Sequence, residues 1–289
     1  MLFASFIYKG DKYIGIVQGD NVIPIKDLIG KEFASLIDLI ENFSAKYIAL
    51  LKDASGHEGI KLSDVVLTSP ILHPKRNVIC IGKNYKEHID EIANSIDAEH
   101  NIPEHPVFFT KMVDKSVGPF ENIKLHKEIT SSLDYEAELG IIIGQEGSNI
   151  PKNKVHKYIF GYTIINDISA RDIQRKHVQW FRGKSLDGTC PIGPYVLHKD
   201  SIPYPPKLKI QCRVNDNLRQ DSTTEKLIFD IDTIVSELSK GITLKRGDII
   251  STGTPDGVGM GMNPPKYLKE GDKVECYIEN IGYLINTVK

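Results

Sequence analysis

The chain has 289 residues, of which 40% are hydrophobic and 26% are charged, and these values exclude disordered and fibrous proteins. Its formal net charge of −2 and its pI near 6.5 give no basic field, so we expect no nucleic-acid partner. The start does not resemble a signal peptide and no run of about 18 apolar residues follows, which predicts a cytoplasmic protein without membrane contact. The four cysteines are scattered, which indicates reduced core thiols rather than a zinc site or disulfide framework.

Residues 1–70 are predicted to form a small N-terminal unit of α and β structure. Short strands are broken by turn residues at 9–11 and 19–21, which is typical of a hairpin meander. Apolar residues spaced three or four apart between Leu36 and Leu50 then predict a helix with one packed face. We therefore expect a first domain that ends near residue 70 and a second domain over 71–289.

The second domain is predicted to be rich in strands. Eight β-rich segments are separated by Gly, Pro and Asp, at 77–82, 106–111, 139–144, 159–169, 193–198, 207–215, 248–253 and 273–288. Helical spacing is found mainly at 84–94 and 230–242, the latter with Asp230 or Asp232 as a candidate cap. Because strands and helices do not alternate, a doubly wound parallel sheet is disfavoured, and a rolled or sandwiched mixed sheet is favoured.

His88 and Glu91 stand three residues apart in the helical segment GKNYKEHIDEI. This spacing places imidazole and carboxylate on one side of a helix, within hydrogen-bonding reach. A carboxylate so placed orients the imidazole and raises its basicity, as a general base requires. The alternative is an ordinary surface contact between two polar side chains.

The segment that follows, residues 95–106, is polar and has no clear period. Such a segment suits a mobile flap over a site. It contains His100 and His105, to which the sequence assigns no role.

Three acids, Asp134, Glu136 and Glu138, occupy alternate positions directly before an apolar strand. Alternate residues of a strand share a face, and crowded carboxylates need a positive charge between them. Oxygen ligands alone select Mg²⁺, Mn²⁺ or Ca²⁺, and Asp167 at the end of another apolar strand is a further candidate ligand. The alternative is that these acids are solvated edge residues, although Glu138 directly precedes the core segment 139–143.

Arg171, Gln174 and Lys184 follow Asp167 along the chain. Cations and an amide beside a bound metal would stabilise negative charge that develops during a reaction. The alternatives are that Arg171 pairs with a nearby acid for structural reasons and that Lys184 is exposed. Trp180, which lies between them, is expected to serve packing.

A glycine-rich loop, STGTPDGVGMGMNPP, follows the strand predicted at 248–253. It lacks the Lys-Ser or Lys-Thr ending of a phosphate-binding P-loop, and two prolines stand where a dinucleotide site needs a helix. We therefore expect its backbone N–H groups and Thr254 to bind a small carboxylate rather than a nucleotide.

Together, six segments resemble the fumarylacetoacetate hydrolase family: GKNYKEHIDE, PVFFTK, DYEAELGIIIG, GYTIINDISARDIQ, GKSLDGTCPIGP and STGTPDGVGMGMNPPKYLKEGD. The resemblance covers residues 75–289, and within the family the bacterial diketo-acid and sugar-acid members and related mitochondrial proteins are the most similar. It implies an α+β, β-rich chain whose catalytic domain is a mixed β-roll or sandwich, usually assembled as a homodimer.

The resemblance also implies roles for individual residues. Mg²⁺ or Mn²⁺ would be held by three acids, Glu136, Glu138 and Asp167. The catalytic residues would be His88 and Glu91, as a water-activating pair on a lid, and Lys184. The substrate-binding residues would be Lys111, Arg171, Gln174 and Thr254. Asp134 matches no ligand of the family and receives no role.

The implied function is metal-dependent hydrolysis of a C–C bond in an acylpyruvate or other diketo acid, a 1,3-dicarbonyl, through a metal-bound enolate. The alternative enzyme is an oxaloacetate decarboxylase or a 2-hydroxyhepta-2,4-diene-1,7-dioate-type isomerase, because both reactions use the same enolate chemistry. A third possibility, from another class, is a binding protein without catalysis. The expected partner is a small 2-oxo acid.

Overall fold

A computed structural model describes residues 1–52, 56–96 and 101–289, with backbone only for 94–96. Its strands are β1 (Leu2–Tyr8), β2 (Asp11–Gln18), β3 (Asn21–Pro24), β4 (Ile60–Lys61), β5 (Val66–Thr68), β6 (Val78–Gly82), β7 (Val107–Lys111), β8 (Asn122–Ile123), β9 (Leu133–Asp134), β10 (Ala137–Ile143), β11 (Ile159–Asn166), β12 (Ser169–Ala170), β13 (Ile192–His198), β14 (Lys209–Val214), β15 (Asn217–Thr223), β16 (Ile249–Ser251), β17 (Lys273–Ile278) and β18 (Gly282–Val288). Its helices are α1 (Ile25–Ile29), α2 (Leu36–Glu41), α3 (Ala45–Lys52), α4 (Lys86–Ile96), α5 (Val155–Tyr158), α6 (Arg171–Lys176), α7 (Phe181–Lys184) and α8 (Ile231–Leu238).

Two sheets carry most of the described strands. The larger runs in the order β4-β3-β2-β1-β13-β11-β10-β16-β6-β7, with β5 also paired to β1, and its pairs are antiparallel except β16 with β6. The smaller runs β15-β14-β17-β18-β8. Because parallel pairing is confined to single strand pairs, the sheets are mixed, which confirms the predicted β-rich fold and excludes a doubly wound parallel sheet.

Strand β10 lies between two cores, because both of its faces are buried. Ile141 and Ile143 pack in one apolar cluster with side chains of β14 and β17. Ile142, on the other face, packs in a second cluster with side chains of the N-terminal strands and helices. Burial on both faces explains why residues 139–143 of this strand form a continuous apolar run instead of an alternating one.

The N-terminal residues continue the large sheet, because β1 pairs with β13. The helix predicted between Leu36 and Leu50 is two helices, α2 and α3, since Asn42 ends α2 and bonds back to Asp38 through its side chain. The domain boundary near residue 70 stays a prediction.

The two helices predicted in the second domain are present as α4 and α8. Asp230 caps α8 by accepting a hydrogen bond from the Thr233 amide at 2.8 Å, whereas Asp232 accepts one from the Tyr204 hydroxyl at 2.5 Å. Of the flap predicted over 95–106, residues 97–100, with His100, lie outside the described residues.

All four cysteines are buried and free, as predicted. Within the described ranges, no helix has both the length and the apolar character required to cross a membrane.

Candidate active site

The site is built where the start of β10 meets the end of β11. These strands pair antiparallel, so Ala137 lies opposite Asn166, and Asp167 follows directly. The Asp167 amide donates to the Glu136 carbonyl at 2.9 Å, and the Glu136 amide donates to the Asn166 side-chain oxygen at 3.0 Å. This pairing brings acids from two distant stretches of the sequence to one place.

Three buried acids form the centre of the site. One carboxylate oxygen from each of Glu136, Glu138 and Asp167 lies within 4.8 Å of the other two. Asp134 is not in this group, because β9 ends at Asp134 and the chain reaches β10 only after two residues outside any strand. Asp134, Glu136 and Glu138 therefore do not form one acidic face, and the acids that cluster are the three that the resemblance implies as metal ligands.

Basic side chains surround two of these acids. The Lys184 Nζ atom lies 2.6 Å from Glu136 Oε2 and 2.7 Å from Asp167 Oδ2. Arg171 Nη2 lies 2.7 Å from Glu136 Oε1, and Lys111 Nζ lies 3.0 Å from Asp167 Oδ1. Burial alone would raise the pKa of Glu136, but Lys184 and Arg171 outweigh it and hold the pKa well below its ordinary value. Lys184 is only 2% exposed, so the alternative of a solvated lysine is wrong.

Glu138 has a different environment. Its Oε2 atom accepts hydrogen bonds from the Ser251 hydroxyl at 2.5 Å and the Gly253 amide at 2.8 Å. Burial, followed by the negative charges of Asp167 and Glu136, raises the pKa of Glu138 well above its ordinary value. An added positive charge would lower the pKa of Glu138 again, because it would favour the ionised carboxylate.

The three acids therefore fit a divalent cation. Carboxylate oxygen is the ligand that Mg²⁺ and Mn²⁺ prefer, and each carboxylate keeps lone pairs beyond those used by its hydrogen bonds and ion pairs. The alternative of solvated edge residues is wrong, since all three side chains are buried.

His88 and Glu91 lie three residues apart on α4. His88 Nδ1 is 3.5 Å from Glu91 Oε2, an ion-pair distance rather than a good hydrogen bond. Both oxygens of Glu91 accept from the Gly257 amide, at 3.0 and 3.1 Å. His88 is 6% exposed, so the alternative of a surface contact is wrong.

A cavity of about 360 Å³ joins the two groups. Seven residues singled out in the sequence line it: His88, Glu136, Glu138, Arg171, Gln174, Lys184 and Thr254. Asp167, Glu91 and Lys111 are not among its lining residues; Lys111 is 1% exposed and donates to the Ile168 carbonyl at 2.7 Å. The cavity is thus lined by carboxylates, basic side chains and the His88 imidazole.

Several lining residues were not predicted. They are mainly apolar, with two exposed cations, and comprise Ile81, Gly82, Lys83, Ile89, Ile92, Ala93, Phe109, Arg175, Val178, Trp180 and Met260. Trp180 was expected to serve packing; it packs edge-on against Phe109, with ring centroids 5.2 Å apart, and also forms part of the wall. A Cβ at Gly82 would lie 2.2 Å from the Trp180 ring, so the glycine makes room for it.

The glycine-rich loop binds carboxylates of the protein itself. The Gly257 amide donates to Glu91, and the Gly259 amide donates to Asp134 Oδ1 at 2.7 Å. Thr254 donates its hydroxyl to the Ala137 carbonyl at 3.0 Å and accepts from Gln220 at 2.8 Å. The amides of Gly257 and Gly259, which we expected to hold a small molecule, are thus used inside the fold.

Residues 77–289 match the family model described as fumarylacetoacetate (FAA) hydrolase C-terminal. The chain belongs to the fumarylacetoacetate hydrolase family. This confirms the resemblance carried by the six segments. A member of this family in Bacillus subtilis (strain 168), oxaloacetate tautomerase YisK, is 49% identical over 236 residues, which are 82% of this chain and 77% of that protein.

Two solved structures have the same fold over the whole chain. Fumarylacetoacetate hydrolase (EaFAH) from psychrophilic Exiguobacterium antarcticum is 40% identical, with a TM-score of 0.81 and coverage of 100% of this chain and 99% of that one. Maleylpyruvate hydrolase from Sphingobium sp. SYK-6, in complex with manganese(II) and pyruvate, is 27% identical, with a TM-score of 0.80 and coverage of 100% and 98%. Relatives named as hydrolases and a tautomerase support an enzyme.

The individual roles assigned to residues of this fumarylacetoacetate hydrolase family member stay predictions. The structure places Glu136, Glu138, His88 and Lys184 around one cavity, with Asp167 clustered beside the two glutamates. The Lys111 Nζ atom lies 3.0 Å from Asp167 Oδ1. Arg171 pairs with Asp134 and Glu136, and its Nη1 donates to the Gln174 side-chain oxygen at 3.1 Å.

Proposed function

We propose that this protein is a divalent-metal-dependent hydrolase that cleaves a C–C bond in acylpyruvates and related diketo acids. The observation that carries the proposal is one cavity lined by Glu136, Glu138, Lys184 and His88, with the buried carboxylate of Asp167 clustered beside the two glutamates. Mg²⁺ or Mn²⁺, held by Glu136, Glu138 and Asp167, would supply Lewis-acid polarisation of the substrate's oxygens.

His88 is the general base in this proposal. Its Nδ1 atom faces Glu91, which leaves Nε2 to take a proton from a water molecule. The hydroxide oxygen bonds to the acyl carbonyl carbon, and the C–C bond breaks. The electron pair of that bond becomes the enolate of pyruvate, which takes up at carbon the proton held on Nε2. The products are pyruvate and a carboxylic acid, with one water consumed.

Lys184 and Arg171 stabilise the negative charge of this reaction. Both line the cavity and both are buried, so little water screens their charges. Gln174 and Thr254, to which the resemblance assigns substrate binding, also line the cavity and can contact the substrate there. Lys111 acts, in this proposal, on Asp167 rather than on the substrate.

A second candidate is keto–enol tautomerisation of oxaloacetate, favoured by the 49% identity to oxaloacetate tautomerase YisK. In that reaction a proton leaves one carbon or oxygen and another is added elsewhere, and no water is consumed. The same enolate would also support decarboxylation or double-bond isomerisation. The cytoplasmic location and the homodimer stay predictions.

Product analysis tests the proposal. Purified protein with Mg²⁺ or Mn²⁺ would be incubated with a panel of acylpyruvates and with oxaloacetate, and products would be followed by proton NMR. Release of pyruvate with an equal amount of carboxylic acid supports hydrolysis. Accelerated enol–keto exchange of oxaloacetate without acid release supports the second candidate, and no turnover of either substrate class refutes both.

A further inference from the structure

Asp134 is the acid of the DYEAE segment that the proposed reaction leaves unused. Its side chain is fully buried, and its two oxygens accept four hydrogen bonds. Oδ1 accepts from the amides of Tyr135 at 3.0 Å and Gly259 at 2.7 Å. Oδ2 accepts from the Met260 amide at 3.0 Å and from Arg171 Nε at 2.9 Å. A carboxylate that accepts two hydrogen bonds at each oxygen holds the surrounding donors in fixed positions.

Asp134 is connected to the predicted metal ligand Glu136 through contacts made by Arg171. Asp134 holds the Nε edge of the Arg171 guanidinium, and the Nη2 atom of the same group lies 2.7 Å from Glu136 Oε1. Because a guanidinium is rigid and planar, fixing Nε also fixes the position of Nη2. Asp134 therefore determines where Arg171 places Glu136.

Asp134 is also connected to Glu91, the partner of the predicted base His88, through hydrogen bonds of the glycine-rich loop. The loop that donates to Asp134 through Gly259 also donates to Glu91 through Gly257. A Cβ at Gly259 would lie 2.6 Å from Asp134 Oδ1, and a Cβ at Gly261 would lie 2.1 Å from the Glu91 carboxyl carbon. The loop therefore fits closely around both carboxylates, and Asp134 anchors the segment that holds Glu91.

We propose that Asp134 is a positioning residue that couples the predicted metal ligands to the predicted general base. Through Arg171 it sets the Glu136 carboxylate for the metal, and through the loop 257–261 it sets Glu91 for His88. This role rests on the proposed function for the metal and the base, but it does not depend on which 2-oxo acid reacts.

Asp134→Asn tests this role with almost no change of shape. An amide replaces one oxygen by an NH₂ group, so in either orientation two of the four donors face another donor. We expect Mn²⁺ affinity, measured by EPR titration, to fall by about 10- to 100-fold, and kcat to fall by a similar factor while KM changes less. Asp248→Asn is the matched control. Asp248 is also buried between an arginine, Arg76, and a backbone amide, that of Lys245, but at the other end of β16.

A structural role alone would affect both variants in the same way. If Asp134→Asn loses only thermal stability, as we expect of Asp248→Asn, and keeps wild-type Mn²⁺ affinity and kcat, the proposal is overturned. Mn²⁺ binding needs no substrate, so failure to turn over any 2-oxo acid would refute the proposed function and leave this readout intact.

A second pair of variants serves if Asp134→Asn does not fold. The double variant Asp134→Asn/Arg171→Gln leaves no unpaired buried cation and is compared with Arg171→Gln alone. We expect Mn²⁺ affinities within about threefold of each other, because Asp134 acts on the metal through Arg171. We also expect kcat to be about tenfold lower in the double variant, because the loop no longer fixes Glu91. Additive losses of Mn²⁺ affinity, equal kcat values, or failure of only the double variant to fold would contradict the proposal.

Discussion

At the residue scale, the balance of buried charge limits what the site can hold. Four buried acids face three buried bases: Asp134, Glu136, Glu138 and Asp167 against Lys111, Arg171 and Lys184. With all of them ionised, one negative charge remains without a partner, and a divalent ion would turn this into one positive charge. A small positive excess in a buried cavity suits an anionic 2-oxo acid better than a neutral substrate.

Lys184→Met tests the role of the shared ammonium. Glu136 and Asp167 would lose a cation held at 2.6 and 2.7 Å, so the metal-free variant should be destabilised by about 3–5 kcal/mol. Because Mn²⁺ would replace the missing charge, it should raise Tm more in the variant than in the wild type, as calorimetry would show. Turnover should still fall by about 10²-fold. The control is Lys240→Met, which removes an exposed partner of Glu237, and a variant as stable as this control would contradict the prediction.

His88→Ala tests the general base. We expect the hydrolytic kcat to fall by about 10²-fold or more, because the proton acceptor of the attacking water is lost. Mn²⁺ affinity should survive, since His88 is not one of the three clustered acids. Steady-state kinetics and EPR titration measure the two quantities, with His156→Ala, an exposed histidine on α5, as the control. Turnover close to the wild-type rate would remove His88 from the mechanism.

At the element scale, strands were predictable where burial on one or both faces leaves a pattern in the sequence. Residues 139–143 of β10 form a continuous apolar run, and β11 is mostly apolar, because both faces of these strands are buried. Strand β15 was not predicted, because it pairs at the edge of its sheet and most of its side chains are polar and at least partly exposed. The hydrophobic pattern that predicts a strand thus depends on burial, and an edge strand with exposed polar side chains shows little of this pattern.

Contacts in the site were predictable where the two residues are close in sequence and were not predictable where they are distant. His88 and Glu91 are three residues apart on one helix, so their contact follows from helix geometry. By contrast, Gly257 and Glu91 are 166 residues apart, and Gly259 and Asp134 are 125 residues apart. No local spacing predicts such pairs. The glycine-rich loop predicted that backbone N–H groups would bind a small carboxylate, but not that Gly257 and Gly259 would bind Glu91 and Asp134.

Gly261→Ala tests whether the glycine-rich loop sets Glu91. The added methyl would lie within 2.2 Å of the Glu91 carboxylate, so that carboxylate must shift from its present position. We expect kcat to fall by about tenfold, with Mn²⁺ affinity unchanged, because Glu91 supports the base and not the metal. Gly271→Ala is the control, since its φ of +89° strains an alanine but the space around it is open. Equal kcat in the two variants would show that the loop does not act through Glu91.

At the scale of the whole molecule, the acids lie at the middle of the large sheet. Strand β10 carries Glu138 and is flanked by β11, which Asp167 follows directly, and by β16, which carries Ser251. The order of strands continues from β11 through β13 to the N-terminal strands, so the acids join parts of the chain that lie far apart in sequence. The charge state of Glu138 should therefore affect the free energy of unfolding of the molecule.

The final prediction concerns how this free energy depends on pH. The pKa of Glu138 is raised in the folded protein, chiefly by burial, above the ordinary glutamate value of 4.5. The folded state therefore holds this proton more tightly than the unfolded state does. The stabilising contribution is complete below pH 4.5 and is lost as pH rises through the folded pKa.

Glu138→Gln isolates this contribution, because both hydrogen bonds go to one oxygen, Oε2, which the amide oxygen can replace. Without metal, the wild type should lose stability relative to the variant as pH rises above 4.5 and through the raised pKa of Glu138, measured by urea unfolding at each pH. With Mn²⁺ the order should reverse, since ionised Glu138 binds the ion, and stability should rise with pH in the wild type alone. Parallel pH profiles for the two proteins, with and without Mn²⁺, would mean that Glu138 is neither protonated in the free site nor a ligand.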